Sequence, residues 1–151
     1  MKDDLAKLIG IGMFQNKDLV SLSLAHNKLT DQFIRPFMAG LEKCQTMREL
    51  DLSHNKLGDV TAKLFVHLLR LSANKIESLD LSNNMLTKKY IGDLQLVIDD
   101  CPRIRYLKTD MNQGISHAQR LAVKHSLARN VKHAEDMFIP RTIMKRAFLK
   151  H

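Results

Sequence analysis

Four asparagines at near-equal intervals constrain this chain more than anything else in it. Asn27, Asn55, Asn84 and Asn112 are separated by 28, 29 and 28 residues, and each sits near the end of one recurring frame. The clearest copy, MRELDLSHNKL at 47–57, is flanked by LVSLSLAHNKL at 19–29 and IESLDLSNNML at 76–86. A weaker fourth, IRYLKTDMNQG at 104–114, carries Thr109 and Gly114 where the others have leucine. A fixed period of this length marks a stack of like units, none of which can close a core alone.

Within Leu-x-Leu, alternation of period two sends both leucines to one side of a strand and the intervening side chains to the other. The asparagine follows where the strand ends. Its amide can donate to and accept from main-chain groups that would otherwise be buried without partners, and repeating it at one period builds a ladder through Asn27, Asn55, Asn84 and Asn112. The frame, apolar-x-x-Leu-x-Leu-x-x-Asn-x-Leu, resembles that of leucine-rich repeat proteins, and its long period is similar to the ribonuclease-inhibitor type. That resemblance implies an α/β fold: a right-handed solenoid with a short, curved parallel sheet on the concave side and helices on the convex side. It also implies a protein-protein interaction module whose concave sheet face takes a protein ligand. Some proteins of this type activate GTPases; no residue here marks that activity.

The helical half of each unit is legible as well. Phe37, Phe65 and Leu94 occupy one repeat position and Leu41, Leu69 and Ile98 another, which predicts two columns of core side chains. Thr30 or Asp31, then Asp59, then Thr87 are the residue types that cap helices at the expected starts. Shifting the first repeat back by one period aligns residues 3–16 with a helix whose strand is missing, so they are expected to cover the first core layer. The edge of the strand at 19–25 is then either blunted by the first few residues or used by a partner. A fourth helix is expected from Ser116 to about Arg129. A fifth copy would place leucines near positions 132, 135 and 137, where the chain has Lys132, Glu135 and Met137. The division expected is therefore a repeat domain over 1–130, with four strand-bearing repeats, and a basic C-terminal cap or tail over 131–151. In that last segment Pro140 suits the first turn of a short helix.

Charge is distributed unevenly. Residues 1–102 hold 13 basic and 13 acidic residues, whereas 103–151 hold 11 and 3, so the whole formal excess of +8 lies in the last third. Arg141, Lys145, Arg146 and Lys150 form the basic side of the final segment. They can keep a terminal cap soluble, or meet RNA, an anionic membrane surface or an acidic protein surface. With aromatics at 5% and no stacking platform, nucleic acid is the minority option.

The expected open face has a different character. Its outward positions read Ser21, Ser23 and Ala25, then Glu49, Asp51 and Ser53, then Ser78, Asp80 and Ser82, then Tyr106, Lys108 and Asp110. Contact residues expected there are Ser23, Glu49, Asp51, Ser78, Asp80, Tyr106 and Lys108. Three carboxylates, Glu49, Asp51 and Asp80, would repel phosphate and favour a partner bearing Lys or Arg, and Tyr106 is the aromatic anchor. Serine and aspartate are also ordinary filler at these positions, so the column can equally be inert surface.

Signals for chemistry are missing. Gly10-Ile-Gly12 lacks the Lys-Ser/Thr of a phosphate loop. His117, His125 and His133 advance by about 80° each on a helix and do not converge on one ion. His26 and His54 fall in neighbouring repeats and could meet a metal, but exposed loop histidines explain them as well. No catalytic residue, cofactor, metal or small-molecule substrate is expected. Cys44 and Cys101 share one repeat position two layers apart, about 10 Å, too far for a disulfide. They read as packing residues in a reducing compartment. With acids at positions 3 and 4 arguing against a secretory signal, and no apolar run near the roughly 18 residues of a spanning helix, a cytoplasmic location is expected. A structural subunit of a cytoskeletal, ciliary or ribonucleoprotein assembly, docking through the basic segment, is the alternative to the binding module.

Overall fold

A computed structural model describes residues 2–137, with side chains described from Leu5 to Glu135. Helices and strands alternate: α1 Lys2–Gln15, β1 Ser21–Ser23, α2 Asp31–Leu41, β2 Glu49–Asp51, α3 Asp59–Arg70, β3 Ser78–Asp80, α4 Ile91–Asp100, β4 Tyr106–Lys108 and α5 His117–Met137. The strands form one parallel sheet in chain order, β1-β2-β3-β4. Each strand-helix unit therefore sets its strand down beside the previous one.

Register follows the frame. Leu22, Leu50, Leu79 and Leu107 share one row, flanked by the rows Ser21, Glu49, Ser78, Tyr106 and Ser23, Asp51, Asp80, Lys108. Leu52 and Leu81, the second leucines of their pairs, are fully buried, and Thr109 fills the equivalent place in the fourth repeat at 4% exposure. Both helical columns are in the core: Phe37, Phe65 and Leu94, and Leu41, Leu69 and Ile98, have no exposed surface. Gly114 stands where the other frames carry leucine because the chain passes too close to its neighbour there. A Cβ at Gly114 would lie 2.6 Å from the Thr87 Cα.

Helix capping differs from the expectation, and the reason is stacking. The N-cap residues of α2, α3 and α4 are Thr30, Gly58 and Tyr90, and none makes a side-chain capping bond. Instead, Asp31 in the first turn of α2 reaches across to the next helix. Its Oδ1 accepts hydrogen bonds from the Gly58 N–H at 2.8 Å, the Thr61 N–H at 3.3 Å and the Thr61 hydroxyl at 2.6 Å. One repeat later Asp59 does the same for the Thr87 N–H and hydroxyl, at 2.9 and 2.7 Å. Because helix N-termini lie side by side, one carboxylate can serve the positive end of its own helix and the orphan donors of the next. Thr87 itself sits in a turn ahead of α4, which begins at Ile91. Asp31→Ala is expected to lower stability by about 2 kcal/mol in urea denaturation, since it strands donors around the fully buried Thr61.

The ends of the stack are both closed by helices. At one end α1 lies on α2, burying Ala6 and Met13. At the other, α5 starts with a reciprocal cap: the Ser116 N–H donates to Gln119 Oε1 at 3.1 Å and the Gln119 N–H donates to Ser116 Oγ at 3.3 Å. It runs past Arg129, its expected end, to Met137, and so crosses the 130/131 division. Asn130 explains the continuation. Its Nδ2 donates to the carbonyls of Ile98, Cys101 and Ile104 at 3.0, 3.2 and 2.8 Å, tying α5 to the C-terminal end of α4 and the approach to β4. Arg141, Lys145, Arg146, Lys150 and the helix expected after Pro140 lie outside the described residues. Among the described residues no helix is long and apolar enough to cross a membrane.

Candidate functional site

The open face of the sheet is fixed from behind by the asparagine ladder. Asn55 Nδ2 donates to the carbonyls of Leu24, Leu52 and Ser53 at 2.9–3.1 Å, and its Oδ1 accepts from the N–H groups of Asn27 and Leu29. Asn84 repeats this with Leu52, Leu81 and Ser82 and accepts from Leu57, and Asn112 repeats it with Leu81, Thr109 and Asp110 and accepts from Leu86. Each amide thus joins its own turn to the strand before it. Asn27, at the edge, is exposed and donates only to Ala25 O at 2.8 Å.

On the front, the three carboxylates are not equivalent. Asp51 Oδ1 accepts from the Ser53 N–H at 2.9 Å while Oδ2 accepts from the Ser23 hydroxyl at 3.2 Å. Asp80 Oδ1 accepts from the Ser82 N–H at 2.9 Å and its hydroxyl at 2.6 Å, and its Oδ2 lies 3.6 Å from Lys108 Nζ. Both aspartates close the turn after their strand, an arrangement aspartate makes with its own backbone two residues on. Ser53 and Ser82, expected on the open face, are buried at 7% beneath them. Glu49 differs: it is exposed, and among the described residues its carboxylate has neither a hydrogen bond nor an ion pair.

Titration behaviour agrees. Partial burial alone would push the Asp51 carboxyl up, but hydrogen bonds from the Ser53 main chain and hydroxyl and from Ser23, with the nearby charge of His26, hold it below the ordinary aspartate value. Lys108 is raised by its contact with the Tyr106 oxygen and by Asp80. Its ammonium also lies 5.7 Å from the Tyr106 ring centre. Tyr106, 41% exposed, shares a row with Ser21, Glu49 and Ser78. Among the described residues of this row, Glu49 is therefore the exposed carboxylate without a partner and Tyr106 the exposed aromatic, separated by the β3 strand that carries Ser78.

Two features of the rim were not read from the sequence. Arg48, Glu77 and Arg105 hold one frame position just before their strands, and Glu77 pairs with both arginines, at 2.5 and 3.7 Å. The signal was available as opposite charges at a single repeat position. The residue before each ladder asparagine has positive φ, His26 at 60°, His54 at 54°, Asn83 at 52° and Met111 at 57°. This turn stacks His26 on His54, ring centres 4.0 Å apart and 14° from parallel. His54 Nε2 lies 3.3 Å from Asn83 Nδ2. Among the described residues no three His, Cys, Asp or Glu side chains are grouped to hold a metal.

Comparison with known proteins agrees with this geometry. Residues 15–32 and 43–66 match one family profile described as Leucine Rich repeat, and residues 75–97 match another described as Leucine Rich Repeat. Among solved structures, the chain is similar to one titled Leiomodin-1 Actin-Binding Site 2, with a TM-score of 0.77 at 16% identity over 96% of this chain and 81% of that one. It is also similar to the tropomodulin C-terminal domain from Caenorhabditis elegans, with a TM-score of 0.59 at 14% identity over 85% of this chain and 95% of that one. At such identities the likeness is one of fold. A ladder of asparagines behind a sheet in chain order, with matching profiles on three of its four frames, shows that this chain is built of leucine-rich repeats.

Proposed function

We propose that this chain is a non-enzymatic protein-binding module that presents the concave face of its sheet to a partner carrying Lys or Arg. The observation that carries the reading is the row Ser21, Glu49, Ser78, Tyr106, in which one uncommitted carboxylate and one exposed aromatic stand on a scaffold that cannot rearrange without breaking the ladder. A rigid surface loses little freedom on binding, and an exposed aromatic is a residue type that often carries much of the binding energy. Ser23, Asp51, Asp80 and Lys108 flank that row and shape it, their polar groups being spent largely on one another. A cytoplasmic setting fits the two free cysteines.

The solved neighbour named for an actin-binding site makes actin the first partner to try. It also gives weight to the second reading, a subunit of a cytoskeletal assembly that docks through the basic segment 131–151 as a tail, since the charge excess lies entirely beyond residue 102. One experiment separates the two. Glu49→Lys combined with Tyr106→Ala is expected to weaken co-sedimentation with the partner by at least about 10-fold, while deletion of residues 139–151 leaves it unchanged. The opposite pattern assigns binding to the basic segment.

A further inference from the structure

Among the described residues five non-glycines have left-handed backbone: His26, Lys28, His54, Asn83 and Met111. Histidine and asparagine tolerate that conformation, and a lysine at least keeps its turn solvated. Met111 gains nothing in return for it. At 70% its side chain is the most exposed of the described large apolar residues, although Met13, Met38 and Met47 are at most 3% exposed. The turn cannot relax, because Asn112 bonds to the carbonyls of Thr109 and Asp110, and the Asn83 N–H also donates to Asp110 O at 2.9 Å. An unfavourable, unburied residue held in place by its surroundings points outward for its purpose.

Met111 does not stand alone. Met85, the residue after the ladder asparagine one repeat earlier, is 63% exposed and lines the same hollow of about 390 Å3. On the other side of Met111 a second hollow, about 530 Å3, contains Asp110 and Arg120. Among the described residues neither of these two has an ion pair. Both hollows are walled by consecutive turns of the stack and the start of α5.

We infer that this rim, at the C-terminal ends of β3 and β4, is a second anchor point for the protein partner of the open face. It takes a segment in which an aromatic or leucine side chain stands between a basic and an acidic residue. The inference rests on the concave-face reading above and adds where the partner's apolar anchor goes. Thioether side chains are unbranched and polarizable, so a pair of them adapts to an incoming ring and contacts it favourably. Asp110 meets the Lys or Arg of that segment, and Arg120 meets its carboxylate. An anionic lipid headgroup would face Asp110 as well as Arg120, which favours a peptide carrying both signs. Five residues of extended chain separate Tyr106 from Met111, at most about 17 Å, so one partner of standard footprint covers both.

The test pans a random peptide library displayed on phage against the full chain and measures the enriched peptides on variants by fluorescence anisotropy. Those peptides are expected to carry Phe, Tyr, Trp or Leu beside both charge signs. Met111→Asn is expected to weaken their binding at least about 10-fold. The same substitution is expected to raise the urea midpoint by about 0.5 M, since asparagine enters the left-handed turn more readily. A sturdier fold that binds worse separates a contact role from a structural one. Met85→Lys is expected to weaken the same peptides about 5-fold, and Leu96→Glu, at a residue 56% exposed on α4, to change nothing. Peptides indifferent to Met111→Asn, a midpoint that does not rise, or a loss confined to Leu96→Glu overturns the assignment. Binding lost to Glu49→Lys with Tyr106→Ala but kept by Met111→Asn leaves the concave-face reading standing and removes this one, whereas a library without binders removes both. A doubled sedimentation mass that Met111→Asn restores to single would give the rim to a second copy of the chain and overturn it as well.

Discussion

Asn84→Ala is expected to remove on the order of 4 kcal/mol from the free energy of unfolding, measured by urea denaturation at neutral pH. The side chain is 8% exposed, and its amide makes three donations and one acceptance, all with main-chain groups. Alanine leaves the Leu57 N–H buried without a partner, at about 1–3 kcal/mol for such a group. Two carbonyls are partly spared, because Leu52 O is also served by Asn55 and Leu81 O by Asn112. Ser82 O loses its side-chain partner, although the His54 N–H still reaches it at 3.0 Å. The remaining loss is the coupling between the third turn and the second strand. Asn84→Asp, nearly the same size, is expected to be at least as damaging, since a carboxylate has no N–H to give and would be buried in contact with carbonyl oxygens. Asn27→Ala is the contrast. That residue is exposed and makes one donation, so about 0.5 kcal/mol is expected. Equal losses at the two positions would mean that the ladder does not hold the units in register.

This difference between equivalent asparagines marks the limit of what a repeat pattern conveys. The period placed the strands, the two helical columns and the rows of the open face, because each depends only on which side of an element a residue points to. Burial of Phe37, Phe65 and Leu94 follows from that alone. Which donor captures a polar side chain is not given by direction. Glu49, Asp51 and Asp80 read as one acidic patch, yet two of them turn back onto Ser53 and Ser82 while the first is free. The difference is position in the strand. Two residues beyond Asp51 and Asp80 the chain has left the strand and the N–H of Ser53 or Ser82 is there to be captured, whereas two residues beyond Glu49 lies Asp51, still inside β2 and paired with β1. At the helix starts Thr30 does hold the N-cap position, but the bonding was missed for a related reason. Asp31 and Thr61 are 30 residues apart, and their contact exists only because neighbouring helices start side by side. The end of α5 depends on Asn130 finding three carbonyls on other elements, which no helical period can reveal.

Close approach between elements is the other quantity hidden from a sequence, and Gly40 gives its largest expected effect after the ladder. Shifting by one period pairs Gly40 with Gly12, but the residue against it in space is Gly10. A Cβ added at Gly40 would lie 2.2 Å from Gly10 Cα, 2.3 Å from its O and 2.5 Å from its C. All three are backbone atoms, so no side-chain rotation relieves the overlap and α1 must move bodily off α2. Gly40→Ala is therefore expected to cost about 3 kcal/mol, the upper range for overpacking, through the burial of Ala6 and Met13 that the displaced helix gives up. Hydrogen exchange is expected to quicken in α1 before the rest of the stack, because that helix is held by α2 alone among its neighbouring helices. The neighbouring glycines set the scale. At Gly10 the nearest atom is Gly40 Cα at 3.3 Å, so alanine there asks for a shift of tenths of an ångström against a gain in helix propensity, and a net change within about 1 kcal/mol is expected. At Gly12 nothing lies within 4 Å, and Gly12→Ala is expected to stabilise by up to about 1 kcal/mol. The order Gly12, Gly10, Gly40, from gain to loss, tests the crossing of the first two helices. If Gly40→Ala is as stable as the parent chain, α1 does not cross α2 at Gly10 and Gly40.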